Sequence, residues 1–171
     1  SINTTTMEKC FNSYFEESIK QNWELPALSD FKGVAYHYKD IARKIEKIHI
    51  LFEAAGIEKG DRIAICGRNS SHWAVAMFAT LAYGAVAVPV LHEFKADNVH
   101  NIVNHSEAKL LCVGDMVWEN LNDEMMPDLT GIILLNDFSV LKSNCEKLVE
   151  ARHRLNELFG KKYPERFSAS D

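Results

Sequence analysis

The chain has 171 residues, 47% hydrophobic and 25% charged, enough for one domain with a real core and too few for two. A formal net charge of −5, with no run of Lys and Arg, excludes a basic nucleic-acid surface and an anionic-membrane surface. The most apolar stretch, 73–91, is interrupted by Thr80, Gly84 and Pro89, so it falls short of the roughly 18–20 residues a membrane span needs. The opening SINTTTMEKC lacks a basic region followed by an apolar core and does not read as a signal peptide. Cys10, Cys66, Cys112 and Cys145 form no C-x-x-C pair, which fits reduced thiols in a cytoplasmic protein.

In chain order, residues 7–21 predict a helix, with Phe11, Tyr14, Phe15 and Ile19 on one stripe. Residues 27–38 predict a hairpin turning at Lys32-Gly33, with Val34, Tyr36 and Tyr38 alternating on its second arm. An amphipathic helix follows: Ile41, Ile45, Ile48, Phe52 and Ala55 share one face, while Lys39, Arg43, Lys44, Glu46 and Lys47 face water. Asp40 suits its positive end and Gly56 its stop. Residues 63–66 form a short buried strand, Asn69 or Ser70 caps a nearly all-apolar helix over 73–83, and Gly84 ends it before a strand over 85–90. Strand, helix and strand joined this tightly make a parallel crossover unit, with Trp73 and Phe78 placed against the sheet.

Further on, 95–105 predict a helix with Val99, Ile102 and Val103 inward, 109–113 a strand, 115–121 a short helix and 131–135 a fourth strand. A long helix is expected over 139–159, with Leu141, Cys145, Leu148, Leu155 and Leu158 as an apolar stripe, before an irregular tail from 161. The fold class is therefore α/β: a mainly parallel sheet with helices on both faces, preceded by an N-terminal helix and hairpin.

The residues themselves offer little chemistry. The turn Gly67-Arg68-Asn69-Ser70-Ser71 joins a strand to a helix N-terminus, which can hold a phosphate, but neither G-x-G-x-x-G nor G-x-x-x-x-G-K-[ST] is present, and a plain helix cap explains it more simply. His92, His100 and His105 are the closest histidines, yet His100 and His105 are off the i,i+4 spacing of a shared helix face and carry no metal expectation. No G-x-S-x-G nucleophile turn occurs. Trp23, Trp73 and Trp118 read as core or core-edge residues.

The run G-I-x-K-G-D-R-I-A-I-x-x-x-N-x-x-x-W over 56–73, followed by L-A-Y-G-A-V-A-V-P over 81–89, resembles the N-terminal part of the adenylate-forming acyl-CoA synthetases, the AMP-binding enzymes. His37-Tyr38-Lys39-Asp40-Ile41 is similar to that family's T-Y-x-E-L helix start, and 102–109 to its I-L-x-H-S-x-A-K segment. The resemblance covers about 34–113 and continues loosely to 135. The region 139–159 and Tyr163-Pro164-Glu165 look most like bacterial long-chain fatty-acid members. It implies ATP and Mg-dependent conversion of a fatty acid to an acyl-adenylate, then transfer to the thiol of CoA. The family's Ser/Thr/Gly-rich loop ending in P-K-G, its aromatic-Thr-Glu motif, its ribose-binding Asp and its catalytic Lys are not found in these residues. The chain is thus expected to be a single N-terminal subdomain (1–33 helix and hairpin start, 34–135 family-like core, 139–160 helix, 161–171 tail) with no catalytic, cofactor-binding or metal residue of its own. Asn69, Trp73, Gly84 and Pro89 match the family in structural roles, whereas Leu91-His92-Glu93-Phe94 depart from its usual Asn or Tyr and Pro. Apolar surface left uncovered, the 141–158 stripe above all, implies a homodimer, the competing expectation being that the 139–159 helix folds back and covers its own sheet. A free-standing Rossmann-like module that binds a nucleotide or a protein is the competing reading.

Overall fold

The computed structural model describes residues 26–29 and 35–164. The expected helix over 7–21, the turn at Lys32-Gly33 and the end of the tail lie outside them. The hairpin is present: strand β1 (Pro26–Ser29) pairs antiparallel with β2 (Ala35–His37). Helix α1 (Tyr38–Ala54) follows without a break, so Tyr38 opens the helix rather than ending the hairpin arm. Ile41, Ile45, Ile48 and Phe52 are buried as the periodicity requires, and so are Ile50 and Leu51.

The polar flank of α1 is not simply solvated. Lys39, Arg43, Lys44, Glu46 and Lys47 are all half-buried, and the C-terminal helices reach this flank at Lys44 and Lys47. Lys47 Nζ donates to Asn156 Oδ1 at 3.1 Å and stands 5.2 Å from the centre of the Phe159 ring. Lys162 Nζ reaches Glu53 at 3.3 Å. Long basic side chains cover apolar surface with their stems while the ammonium stays polar.

The crossover unit has the expected form. Strand β3 (Arg62–Cys66) and strand β4 (Val86–Val90) pair in parallel, with helix α2 (Ser71–Tyr83) between them. Ser70, not Asn69, caps α2: its Oγ accepts the Trp73 N–H at 3.2 Å. Gly84, at φ 88°, closes it in the left-handed region. The residues driven into the sheet are Val75, Ala76, Ala79 and Thr80, and the Thr80 hydroxyl is satisfied by Ala76 O at 2.8 Å. Small side chains let the helix axis approach the strands. Trp73 and Phe78 are therefore displaced to half-buried flanks, so truncation of Phe78 costs less than its size suggests.

His49 of α1 packs against α2. Its Nε2–H donates to Ala79 O at 2.8 Å, and its ring stands edge-on to Tyr83 at 5.2 Å. Burial first, and the Lys162 ammonium second, hold its pKa below the ordinary 6.5, against the opposing pull of the Ala79 carbonyl. Its neutral form is thus favoured by folding. The stability this gives is complete above the unfolded value and is lost as the pH falls below it, because the unfolded state takes up the proton first. The urea midpoint of the wild-type chain is expected to fall between about pH 7.5 and pH 5.5 by more than that of His49→Gln; equal falls would show that His49 titrates alike in both states.

The chain continues with helix α3 (Ala96–His105), strand β5 (Leu110–Val113), helix α4 (Asp115–Trp118), a 3₁₀ turn (Asp123–Met125) and strand β6 (Gly131–Leu134). The sheet order is β4-β3-β5-β6-β7, where β7 (Val140–Ser143) is antiparallel to β6 and the other neighbours are parallel. Both faces are buried. Ile63, Ile65, Leu110, Cys112 and Ile133 join the core under α1 and α2, and Ala64, Cys66, Leu111, Val113 and Ile132 join a second core with Val99, Val103 and Met126. Helices on both faces explain why the strands are continuously apolar rather than alternating.

The long helix expected over 139–159 is replaced by β7 and two short helices, α5 (Glu146–His153) and α6 (Leu155–Lys162). A tight turn after β6 makes the hairpin. The Asp137 carboxylate accepts the Ser139 N–H at 2.9 Å, Leu134 N–H donates to Ser139 O at 2.8 Å, and Phe138 takes a φ of 59°. Pairing with β6 then satisfies a backbone that a helix would otherwise have to satisfy. The break between α5 and α6 falls at Arg154, at φ −102° and ψ 19°, whose guanidinium forks onto Glu157 with two 3.0 Å bonds. Helix α6 continues to Lys162, so Lys161 and Lys162 are helical rather than tail.

This rearrangement also overturns the expected exposed stripe. Leu148, Leu155 and Phe159 retain 0%, 8% and 1% of their exposure and pack with α1, while Leu141 lies against the opposite core. The C-terminal helices cover their own sheet, and the stripe gives no ground for a homodimer. A Cβ at Gly131 would come 2.7 Å from Leu148 Cδ2, so a larger residue there would have to displace that methyl.

Candidate functional site

Strand order sets the site. From β3 the chain moves outward to β4, then returns across β3 to β5 and on to β6. The loops leaving the carboxyl ends of β3 and β5 therefore part to opposite faces: α2 packs on one core, and Val117 and Trp118 of α4 on the other. Where such loops diverge, open parallel sheets form their ligand crevice. A cavity of about 480 Å³ lies at this position, lined by Gly67, Arg68, Asn69, Ser70, His72, His92, Phe94, Ala96, Gly114 to Val117, Asn120, Leu121, Leu135 and Asn136.

Gly67 and Gly114 form the floor. Gly114 N–H donates to Cys66 O at 2.9 Å, and a Cβ at Gly67 would meet Leu135 Cδ1 at 2.6 Å and Gly114 N at 3.5 Å. One wall is tied down by Asn136, whose Oδ1 accepts the Asp115 N–H at 3.2 Å, while Asp115 Oδ1 accepts Met116 N–H at 2.8 Å. His72 turns its ring edge-on to Phe138, 6.1 Å between centres, and His92 Nε2 lies 3.8 Å from the Glu93 carboxylate. The rim carries exposed Phe94 and Met116. The crevice thus offers polar groups along the α2 side and apolar surface along Phe94, Met116, Val117, Leu121 and Leu135. Cys66 lies just behind it but is no nucleophile, since burial pushes its thiol up to about 11; Cys112, deeper still, is pushed to about 12.

Of the turn singled out in the sequence, Gly67 to Ser70 line the crevice and Ser70 also caps α2, while Ser71 is buried. Leu91 to Phe94 close the connection from β4 to α3 through a Phe94 N–H to Leu91 O bond of 3.1 Å, and they contribute His92 and Phe94 to the site. The three histidines are not brought together: His92 is at the crevice, His100 is buried with Nε2 accepting the Asn122 N–H at 3.0 Å, and His105 is exposed at the end of α3. Among the described residues no group of three or more His, Cys, Asp or Glu is placed to hold a metal. His72, Asp115, Met116 and Asn136 carry no motif. Their one signal is position, just beyond the carboxyl ends of successive apolar strands.

Fold and site together define an open, doubly wound α/β module with a crevice at its switch point. The chain belongs to the AMP-binding enzyme family, whose pattern matches residues 15–166. It is 35% identical over 95 residues to YdaB of Bacillus subtilis strain 168, a protein named as an acyl-CoA ligase, covering 56% of this chain and 19% of that one. It is 32% identical over 84 residues to the fatty acid–[acyl-carrier-protein] ligase ScoC of Streptomyces coeruleorubidus, covering 49% of this chain and 16% of that one. The fold is that of the coronafacic acid ligase of Pectobacterium brasiliense, with a TM-score of 0.70 at 22% identity over 81% of this chain and 29% of that one. The chain thus spans less than a fifth of the length of these two curated relatives. No helix among the described residues is long and apolar enough to cross a membrane.

Proposed function

We propose that this chain is the N-terminal part of a cytoplasmic acyl ligase that activates a fatty acid with ATP to an acyl-adenylate, releasing pyrophosphate, and passes the acyl group to the thiol of CoA. Family membership supports the adenylate-forming step, and a relative that acts on a fatty acid supports the substrate class. Separate, unpaired thiols at Cys66, Cys112 and Cys145 agree with a reducing compartment. The observation that carries the reading is the crevice, with its polar α2 side and apolar opposite side, at the carboxyl ends of parallel strands. In this role Gly67 to Ser70 line the polar wall, and Phe94, Met116, Val117 and Leu121 exclude water from an apolar part of the substrate. No residue of this chain is assigned to Mg²⁺ or to proton transfer. The family's phosphate loop is not found among the 171 residues, so the chain alone is expected to be inactive.

The test is pyrophosphate release from ATP in the presence of a fatty acid, measured for the complete ligase and for the 171-residue chain. The complete protein should be active and the chain alone silent. Gly67→Val in the complete protein, placing carbon where Leu135 sits, should lower kcat/KM by about tenfold or more, as displacement in a positioning wall does. Full kcat/KM in a folded Gly67→Val protein would remove the crevice from the reaction. Failure with every fatty acid tried, alongside activity on another carboxylate, would reject the substrate class.

A further inference from the structure

A second cleft lies on the α1 face of the sheet, away from the crevice mouth. Its volume is about 210 Å³, and its lining brings Lys44 and Lys47 of α1 together with Arg152 of α5, Asn156 of α6 and the Asp137-Phe138 turn. Three cations converge from two helices that are far apart in sequence. Arg152 is held rigidly, its Nε donating to Phe138 O at 2.9 Å and its Nη2 to Asp137 O at 3.2 Å. Lys47 Nζ donates to Asn156 Oδ1 at 3.1 Å. Arg43 stands one turn away on α1 and is paired with Asp40 at 3.1 Å. The one carboxylate in the lining, Asp137, accepts the Ser139 N–H.

The cations crowd one another. Lys47 is held below its ordinary pKa first by burial and then by the charges of Lys44, Arg43 and Arg152, and Lys44 is lowered by burial against the pull of Asp40. A cluster kept partly out of water with like charges converging is stabilised by an anion that accepts from several donors at once.

We propose that the cleft formed by Lys44, Lys47, Arg152 and Asn156 binds a small free oxyanion of the phosphate class. Its volume is below the roughly 300 Å³ at which pockets for whole cofactor-sized ligands begin, so a nucleotide is not its occupant. Arg152 supplies preorganised donors and the two lysines supply charge on flexible stems, a division suited to a tetrahedral oxyanion. The site adjoins the crevice through one turn, because Asn136 lines the crevice while Asp137 and Phe138 line the cleft.

Calorimetry and thermal melting of the chain with inorganic phosphate, against sodium chloride of equal ionic strength, test the assignment. Phosphate should bind saturably and raise Tm beyond the chloride control. Lys44→Gln/Lys47→Gln should weaken phosphate binding by about tenfold or more, since charge-assisted bonds are lost, while its far-ultraviolet circular dichroism shows the chain still folded. Asn156→Asp, which sets a fixed carboxylate in the cleft, should weaken phosphate in the same way. AMP should bind no tighter than phosphate. The proposal is overturned if phosphate does no more than chloride, if both variants bind phosphate like the wild type, or if AMP binds clearly better.

Discussion

Leu148→Glu is expected to leave the chain without a cooperative thermal transition. Leu148 is fully buried between α5 and the sheet, in the same core as Leu51, Leu155 and Phe159, with its Cδ2 against the Gly131 backbone. Removing a buried leucine costs about 2–5 kcal/mol through lost transfer energy and the cavity left behind. Placing a carboxylate there adds the cost of desolvating a charge, or of protonating it so that it is not charged. Because a domain is stable by only about 5–15 kcal/mol, the sum reaches the whole. Near-ultraviolet circular dichroism during heating reads the outcome, with Leu148→Met as the volume-conserving control that should cost less than about 1.5 kcal/mol. A Leu148→Glu chain melting like the wild type would show this side of α5 to be exposed.

Phe52→Ala is expected to lower stability by about 3–5 kcal/mol, the range for truncating a buried aromatic residue. Phe52 is 0% exposed and meets Tyr83 edge-to-face at 5.4 Å and His49 at 6.3 Å. Edge-to-face pairs contribute about 0.5–1.5 kcal/mol beyond area alone. Tyr83 is anchored independently, its hydroxyl donating to Ile57 O at 2.9 Å, so it cannot swing in to fill the space. Urea unfolding followed by tryptophan fluorescence measures the loss. Phe78→Ala is the internal comparison: Phe78 is half-buried on the flank of α2 and should cost clearly less. Equal losses at the two positions would mean that α2 is rotated about its axis from the orientation described.

The two variants mark where local pattern sufficed and where it did not. The face of α1 bearing Ile41, Ile45, Ile48 and Phe52 was legible because a period near 3.6 fixes which residues share a side, whatever packs there. The parallel strands were legible from their continuous apolar runs, and the tight turns at Ser70 and Gly84 from the capping chemistry of serine and the freedom of glycine. Residues 139–159 misled because Leu141, Cys145, Leu148, Leu155 and Leu158, at steps of four, three, seven and three, satisfy a helix, while Val140 to Ser143 equally suit an edge strand. The choice was made by β6, whose free edge offered hydrogen bonds across the Asp137 turn. A local pattern cannot register a partner that another part of the chain supplies.

The crevice divides in the same way. That the turn over 67–71 joins a strand to a capped helix is written in its own residues, and so is the family likeness carried by 56–73 and 81–89. That this turn faces Gly114, Asp115 and Asn136 follows only from the strand order, because the return of the chain across β3 brings together the ends of strands far apart in sequence, Cys66, Val113 and Leu134. Lys44, Lys47 and Arg152 show the same limit. On the sequence they are scattered charges in a chain of net −5, and folding α5 and α6 onto α1 makes them one site. Periodicity and capping act over a few residues and determined the elements; convergence of side chains depends on contacts between distant segments, which only the tertiary structure decided.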